Sequence, residues 1–348
     1  WPISRTAGSV STALSGTSHA VSRRQLLNRG LTMQKFSALL LLLVLSPLVD
    51  AADSSLLAVT PIKLSPHAYY VKGLSGAASA ENQGYMSNAG FVVTRSGVLV
   101  FDSLGTPPLA AELIRQIRKI TDQPIRRVIV SHYHADHIYG LQAFKAVGAE
   151  IWAQQRGKEY LVSDEASKRM AQRQKTLSPW IDETTRLLPA DKWLDGNTRF
   201  EMGGLHFELN HVGPAHSAED LTLFVKEDGV LFSGDLVFKG RVPFVGEADS
   251  KAWLAALDKL IRLKPRILVP GHGEASTDAS TDLAFTRDYL RYLRETMGKG
   301  LENMEPFEEV YAKTSWQQFN HLPAFAEANR VNAYNTYLLL EGEALRKK

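Results

Sequence analysis

Three histidines and one aspartate lie within six consecutive residues of this chain: His132, His134, Asp136 and His137. Imidazole and carboxylate groups are the ligands that a divalent ion such as zinc prefers. The apolar residues 128–130 precede them and predict a buried strand that ends at the cluster. Because alternate side chains of an extended segment point the same way, His132 and His134 can bind one ion together. A solvated histidine-rich loop is the alternative, and it gives no reason for the buried strand in front.

Three further candidate ligands, His216, Asp235 and His272, each follow a short apolar run and lie close to a glycine. Strand ends are where layered folds place their chemistry, and glycine permits the close approaches that such rims need. Together with the histidine cluster they give five imidazoles and two carboxylates. This set suits two metal ions that keep open positions for water.

The composition excludes several other classes of site. The chain has 348 residues, 44% of them hydrophobic, which suffices for one large domain or two small ones. It has no cysteine, so disulfides, thiolate metal sites and cysteine nucleophiles are excluded. Residues 1–51 hold five basic residues and one acidic one; the total charge of +3 therefore leaves 52–348 at −1. A nearly neutral body gives no electrostatic signature of nucleic-acid binding.

Residues 1–51 read as a leader with an export signal. An apolar run at 36–45 follows Lys35, and small residues precede a predicted cleavage after Ala51. The run is too short to span a membrane, so we expect no stable membrane anchor after cleavage. Residues 22–27 resemble a twin-arginine signal, an alternative route. Both routes predict a periplasmic or secreted protein.

The remaining pattern mixes strands and helices, which predicts layered sheets covered by helices. Strands are predicted at 62–64, 68–72, 90–94, 98–102, 127–130, 150–153, 199–202, 205–209, 221–225, 230–233 and 266–269. Helices are predicted at 109–120, 141–147, 154–175, 252–263 and 282–297. We expect a catalytic domain at 52–296 and a helical extension at 297–348, packed on that domain or forming a dimer contact.

The order of Asp102, the cluster at 132–137, His216, Asp235 and His272 resembles the motifs of the metallo-β-lactamase superfamily over residues 60–296. The resemblance implies a four-layer αββα sandwich with the site along one edge of the sheets. It assigns a first zinc to His132, His134 and His216, and a second to Asp136, His137 and His272. Asp235 would bridge the two Zn²⁺ ions, and Asp102 would orient the histidine cluster. Iron and manganese stay open as alternatives.

Such a site suits hydrolysis. Two close cations acidify a shared water to a bridging hydroxide and polarise a substrate carbonyl, and Asp136 is the candidate to orient the nucleophile or carry its proton. The sequence therefore predicts an exported zinc-dependent hydrolase that cleaves a carbonyl C–N or C–O bond in a small molecule. A β-lactam or a lactone-like ester is the expected substrate.

The substrate contacts are predicted from weaker signals. Residues 213–221 resemble subclass B1 metallo-β-lactamases, yet Asp235 stands where their zinc-binding cysteine would be. Lys239 lies one position away from the lysine that grips the lactam carboxylate there. Trp180 and Trp193 lie in a segment that is a candidate lid or substrate wall, although packing is the commoner role of such residues.

Other functions stay open at this point. Residues 234–243 resemble exported metallohydrolases of quinoprotein and sulfur-oxidation systems, so a periplasmic accessory metallohydrolase is one alternative. Another is a metal-carrying accessory factor that binds a cofactor precursor or a partner protein without general hydrolase activity. A glyoxalase II-like thioesterase and an oxidoreductase with one iron are further alternatives. His137 and His272 favour two ions over one, and the sequence leaves the oligomeric state open.

Overall fold

A computed structural model of the chain describes residues 56–346. The predicted leader and signal peptide at 1–51 lie outside the described residues. Within 56–346, no helix combines the length and the apolar composition needed to cross a membrane.

The first sheet has seven strands among the described residues. In chain order they are β1 to β7: Ile62–Lys63, Ala68–Val71, Ala89–Thr94, Gly97–Phe101, Ile125–Ile129, Glu150–Gln154 and Lys192–Leu194. Their order in the sheet follows the chain, antiparallel up to β4 and parallel from β4 to β7. The strands predicted at 90–94 and 98–102 correspond to β3 and β4, which form a hairpin with Thr94 paired to Gly97.

The second sheet has five described strands in the spatial order β12, β11, β10, β9, β8. In chain order these are Thr198–Met202, Leu205–His211, Leu221–Val225, Val230–Phe232 and Ile267–Val269. The strands β8 to β11 form an antiparallel meander, and β12 adds to β11 in parallel. A parallel neighbour needs a long crossover, which a helix between β11 and β12 supplies.

Nine α-helices, α1 to α9, complete the described part of the chain: Pro107–Ile120, Ala135–Ile138, Leu141–Ala146, Gly157–Leu161, Asp164–Thr176, Ser250–Leu263, Ala279–Glu302, Phe307–Lys313 and Phe325–Leu345. Buried side chains from the two sheets pack face to face, with the rings of Phe101 and Phe232 centred 5.8 Å apart. Helices α1 and α3 cover the outer face of the first sheet, and α6 and α7 cover that of the second. This arrangement confirms the predicted αββα sandwich.

The C-terminal helical extension packs on the helices of the second sheet. Tyr289 and Leu293 of α7, Phe307 of α8 and Ala333 of α9 belong to one buried cluster. The boundary predicted at 296/297 falls inside α7, which continues without a break from Ala279 to Glu302. The extension therefore begins within a helix that also covers the second sheet.

The segment that follows β6 departs from the sequence prediction. The single helical stretch predicted at 154–175 is two helices, and Ser163 caps the second by accepting a hydrogen bond from the Ala166 N–H at 3.1 Å. The chain then adds the short edge strand β7, which the sequence analysis did not predict. Three residues of half-buried pattern carry too little periodicity to be recognised.

Candidate metal centre

The histidine cluster lies at the end of β5, as predicted. His132 is buried next to the strand end, and its Nδ1 lies 2.9 Å from the Ser131 hydroxyl. His134 is the residue before α2, whose first turn carries Asp136 and His137. The short helix explains how four ligands fit into six residues, because the chain changes from extended to helical between His134 and Asp136.

The other candidate ligands reach the same edge from three connections of the second sheet. His216 lies between β9 and β10, Asp235 in a 3₁₀ turn after β11, and His272 directly after β12. All three side chains are buried. Residues separated by more than a hundred positions thus converge at one rim.

The first group of ligands combines His132, His134, His216 and Asp235, with one ligand atom of each within 4.8 Å of the others. His216 Nε2 lies 2.9 Å from His134 Nδ1 and 3.5 Å from Asp235 Oδ2. His132 Nε2 lies 3.9 Å from the same carboxylate oxygen. Tetrahedral zinc with bonds near 2.0 Å places its ligands about 3.3 Å apart, so the spacing fits one ion.

The second group combines Asp136, His137 and His272. Asp136 Oδ2 lies 3.2 Å from His272 Nε2 and 3.5 Å from His137 Nε2. Asp235 also reaches this group, with Oδ1 3.1 Å from His137 Nε2 and Oδ2 3.3 Å from His272 Nε2. Asp235 therefore contacts both groups, the geometry that a bridging ligand requires.

Hydrogen bonds orient the histidines of the second group. His137 Nδ1 donates to Asp102 Oδ2 at 2.9 Å, and His272 Nδ1 donates to the Met86 carbonyl at 2.7 Å. Each bond leaves Nε2 as the lone-pair nitrogen, facing Asp235. Asp102 also accepts from the Ser131 N–H at 2.7 Å and adopts φ 64°, a left-handed conformation in which aspartate is enriched.

A further carboxylate links the two segments of the first group. Glu219 is buried and accepts a hydrogen bond from the Tyr133 N–H at 3.0 Å. Tyr133 lies between His132 and His134, and Glu219 lies three residues after His216. The sequence analysis did not identify Glu219, since an acidic residue in a loop carries no signal by itself.

The buried polar atoms at the rim fit bound cations. His132 Nε2, His137 Nε2, and Asp235 Oδ1 have no hydrogen-bond partner among the described residues, although each atom is shielded from solvent. Buried polar atoms without partners are rare in folded proteins, and a coordinated metal ion is a common explanation. A histidine and aspartate donor set without thiolates matches zinc and also iron or manganese.

The electrostatics of the first group favour neutral imidazoles. Burial and the neighbouring His134 lower the pKa of His216 to about 3. Burial and the adjacent imidazoles also lower the pKa of His132 well below its ordinary value. A neutral imidazole is the form that binds a metal.

The second group is electrostatically different. Burial opposes charge on His137, but the Asp235, Asp136 and Asp102 carboxylates raise its pKa well above the ordinary value. Burial would also raise the pKa of Asp136, yet the His137 and His272 imidazoles lower it below its usual range. These carboxylates therefore attract a cation, and a metal ion would replace the imidazole protons.

Gly271 provides the close approach that the sequence suggested. A Cβ atom at this position would lie 2.0 Å from Asp235 Oδ1 and 2.7 Å from the Gly234 backbone. Only glycine leaves room there for the bridging carboxylate.

Four of the seven candidate ligands line a cavity of about 180 Å³: His134, Asp136, Asp235 and His272. Its apolar lining includes Met86, Phe238 and Phe244, and its charged lining beyond the candidate ligands comprises Arg169, Arg173, Arg241 and Glu327. The sequence analysis missed these four charged residues. Their local sequence does not distinguish them from surface residues, because they reach the site through tertiary packing.

The C-terminal helix α9 holds one side of this cavity. Asn332 is fully buried; its Oδ1 accepts from the Val245 N–H at 2.9 Å and its Nδ2 donates to the Pro243 carbonyl at 2.7 Å. These bonds fix the loop 239–249, which carries Arg241 and Phe244. The extension thus contributes to the site.

The three residues predicted to contact substrate lie elsewhere. Lys239 Nζ pairs with Asp282 Oδ1 at 3.0 Å, and Trp180 Nε1 donates to the Ala80 carbonyl at 2.9 Å. Trp193 belongs to β7 and stacks on Tyr133 with ring centres 6.0 Å apart. None of the three lines the cavity at the metal centre, and packing or pairing accounts for each side chain.

The fold and the ligand set define a class, and comparison with known proteins identifies the same one. Residues 82–272, more than half of the chain, match the model of the metallo-beta-lactamase superfamily. The chain belongs to this superfamily.

Two groups of relatives are similar in sequence. The linear primary-alkylsulfatase of Pseudomonas sp. (strain ATCC 19151) is 26% identical over 62% of this chain and 48% of its own length. The metallo-beta-lactamase IND-1 of Chryseobacterium indologenes is 24% identical over 67% of this chain and 88% of its own length. The chain thus spans about half the length of the alkylsulfatase and most of the β-lactamase.

Solved structures show the same two groups. The stereoselective inverting sec-alkylsulfatase Pisa1 from Pseudomonas sp. superposes with a TM-score of 0.64 at 19% identity, covering 81% of this chain and 50% of that one. A metallo-beta-lactamase from Pontibacter korlensis gives a TM-score of 0.53 at 21% identity, covering 67% and 98%. At these identities the likeness shows the fold.

Proposed function

We propose that this protein is an exported, zinc-dependent hydrolase that acts on a small organic anion with an apolar part. The observation that carries the proposal is the cavity at the metal centre, which combines three arginines and one glutamate with an apolar wall. Outside the candidate ligands the lining carries three arginines against one glutamate, and bound metal ions would offset Asp136 and Asp235. The metal-loaded cavity would therefore favour an amphiphilic anion over a neutral or cationic substrate.

Two zinc ions held by the seven candidate ligands would supply an acidified water and an electrophile for the reacting bond. The protein's own side chains would position the substrate and transfer protons. Asp136 keeps 16% of its side chain exposed, against 4% for Asp235. Asp136 is therefore the more exposed of the two candidate-ligand carboxylates that line the cavity, and it would hold the proton of the attacking water.

The reacting bond predicted from the sequence is a carbonyl C–N or C–O bond, as in a β-lactam or a lactone. The wall of Met86, Phe238 and Phe244 would accept the apolar part of such a substrate. A positive charge for its carboxylate would come from the arginines, because Lys239 is paired with Asp282.

A sulfate ester is the second candidate substrate. The structural likeness to the sec-alkylsulfatase extends over 81% of this chain, against 67% for the Pontibacter β-lactamase. An alkyl sulfate is also an amphiphilic anion, so the same combination of arginines and apolar side chains would bind it.

The experiment combines metal analysis with a substrate panel on protein purified with and without added zinc. The panel contains a chromogenic cephalosporin, a lactone, a thioester and an alkyl sulfate. We expect zinc-dependent turnover of at least one anionic member, lost in His216→Ala. The matched control is His321→Ala, since His321 is exposed and lies outside the site.

Each result has a defined meaning. Turnover only of neutral esters would contradict the anionic-substrate proposal, and zinc-loaded protein inactive on the whole panel would favour the accessory role. One iron per chain would overturn the zinc assignment. Export is tested by sequencing the N terminus of protein recovered outside the cytoplasm, where we expect the chain to begin after Ala51.

A further inference from the structure

Three of the candidate histidine ligands have an oxygen atom beside their Nδ1 nitrogen. This oxygen belongs to the Ser131 hydroxyl for His132, to the Asp102 carboxylate for His137 and to the Met86 carbonyl for His272. His216 differs from these three. Its Nδ1 is buried and has no hydrogen-bond partner among residues 56–346.

The other ring nitrogen of His216 faces the metal centre. Nε2 lies 2.9 Å from His134 Nδ1 and 3.5 Å from Asp235 Oδ2. A metal ion in the first group would bind the lone pair of Nε2, so the proton of the neutral imidazole would stay on Nδ1. A buried N–H without an acceptor is unfavourable, and no oxygen or nitrogen atom of the described residues accepts this one.

An aromatic ring lies against His216 away from the other ligands. The ring centres of His216 and Trp253 are 5.1 Å apart, and the two planes meet at 72°. A steep contact at this distance is typical of a donor that points at the electron-rich face of an aromatic ring. Phe238 is farther away, at 5.8 Å and 58°. The rings of His132 and His134 also approach His216, but they belong to the metal centre on the Nε2 side.

Trp253 is held firmly in this position. Its side chain is fully buried on α6, and its indole Nε1 donates to the Leu236 carbonyl at 3.0 Å. Leu236 directly follows Asp235 in the 3₁₀ turn after β11. One indole therefore contacts both the ring of His216 and the turn that carries Asp235, which are two ligands of the first group.

We propose that the face of the Trp253 indole accepts the His216 Nδ1–H and so holds this imidazole with Nε2 directed at the metal ion of the first group, here called the first ion. Trp253 is then a positioning residue that acts through His216, in the role that oxygen atoms have for His132, His137 and His272. The inference rests on the proposed function and deepens it, because it names the group that orients a zinc ligand.

The first test observes the contact directly. Zinc-loaded full-length protein is prepared with isotope-labelled histidine, and the ring N–H protons are recorded by NMR spectroscopy. The ring current shields a proton above an aromatic face, whereas donation to oxygen deshields it. We expect the His216 Nδ1 proton upfield of those of His137 and His272, with a nuclear Overhauser contact to the Trp253 indole.

A matched pair of variants separates the aromatic face from the rest of the side chain. Trp253→Phe and Trp253→Leu both lose the bond to Leu236, and of the two only phenylalanine keeps an aromatic face. We expect the affinity for the first ion to stay within about threefold of wild type in Trp253→Phe and to fall about tenfold in Trp253→Leu. Competition with a chromogenic chelator measures both zinc affinities. The second ion should bind as in wild type, since His137 and His272 keep their oxygen partners.

Leu257→Ala is the control for lost packing. Leu257 is fully buried one turn after Trp253 in α6, and it offers no aromatic face. Its truncation should lower the midpoint of thermal unfolding and leave both zinc affinities unchanged.

Equal zinc affinities of Trp253→Phe and Trp253→Leu would overturn the inference, because Trp253 would then only fill space. If Trp253→Leu does not fold, a His216 proton as far downfield as those of His137 and His272 in the wild-type protein is the contradicting result. Wild-type protein that binds no zinc would contradict the proposed function as well, whereas the other two results contradict this inference alone. None of these measurements requires turnover.

Discussion

The floor and the walls of the cavity are built on different principles. We call the seven candidate metal-ligating side chains the floor; they lie in the turns and the short helix that follow strands of the two sheets, and all but His134 and Asp136 are buried. The walls include α5, the loop 239–249 and α9, which contribute the arginines, Phe244 and Glu327. The floor belongs to the edge of the two-sheet core, whereas these walls come from connections between its strands and from the C-terminal extension.

This difference separates chemistry from selectivity. The floor is tied to the core by hydrogen bonds such as those of Asp102 and Glu219, so its geometry follows from the sandwich. The walls can vary without disturbing the sheets, as loops and insertions generally do. Similarity to both β-lactamases and alkylsulfatases is what such a division would produce.

Gly271→Ala should disrupt metal binding at the floor, and we expect it to have the largest effect of these variants on zinc content and activity. The new Cβ would displace Asp235, so both ligand groups lose their shared carboxylate. We expect reduced zinc content and a loss of activity of more than about 100-fold, beyond the effect of changing an outer residue. Metal analysis and activity measurements check this prediction.

The matched control is Gly298→Ala in α7, where the added Cβ meets only Leu340 Cδ1 at 3.8 Å. Alanine in a helix interior stabilises by about 0.5–1 kcal/mol, so the midpoint of thermal unfolding should rise slightly. Normal zinc content in Gly271→Ala would show that the floor tolerates displacement of Asp235.

Asp102→Asn should weaken metal binding at the floor without abolishing it. Asparagine tolerates the left-handed backbone of this position but cannot accept from both His137 and Ser131 with the strength of a carboxylate. We expect the affinity for the second metal ion to fall about 10- to 100-fold. Competition with a chromogenic chelator measures it, and equal weakening of both ions would contradict the assignment of Asp102 to His137.

Asn332→Ala should alter substrate binding at the walls and leave metal binding at the floor unchanged. It removes the bonds that hold Val245 and Pro243 and leaves buried groups without partners, which costs about 1–3 kcal/mol of unfolding free energy. We expect KM to rise several-fold while zinc content stays unchanged. Asn335→Ala is a milder comparison, since Asn335 holds the same loop through a single bond to Gly246. A loss of zinc in Asn332→Ala would mean that floor and walls are not separable.

The floor could be predicted from sequence because its signals are local. Apolar runs reveal strands, and a strand end that carries histidine or aspartate beside glycine points to the rim of a sheet. The mixture of strands and helices predicts layered sheets, and the resemblance to the metallo-β-lactamase superfamily implies the two-sheet arrangement. Each candidate ligand proposed from the sequence therefore lies in one of the two groups.

The walls could not be predicted in the same way. Arg173 belongs to a polar helix whose sequence looks like an exposed face, and it lines the cavity only through the tertiary packing of α5. Lys239 was proposed from its distance along the chain to Asp235, but its side chain turns to Asp282. Trp193 lies in a segment that the sequence analysis treats as a candidate lid or substrate wall, and its side chain packs on Tyr133 from an edge strand. Which wall residues lie near the metal centre depends on tertiary contacts, and these contacts leave no periodic pattern in the sequence.

The bond from the Tyr133 N–H to Glu219 has a consequence for how the enzyme acquires its ions. It joins the segment after β5 that bears two imidazoles to the loop that bears a third, through a bond between protein groups. We therefore expect the metal ions to bind to a site that is already folded. Small zinc domains differ, because they fold only when the metal binds. A chelator should strip the ions and leave the circular dichroism spectrum intact, and one divalent ion should exchange for another without unfolding the chain.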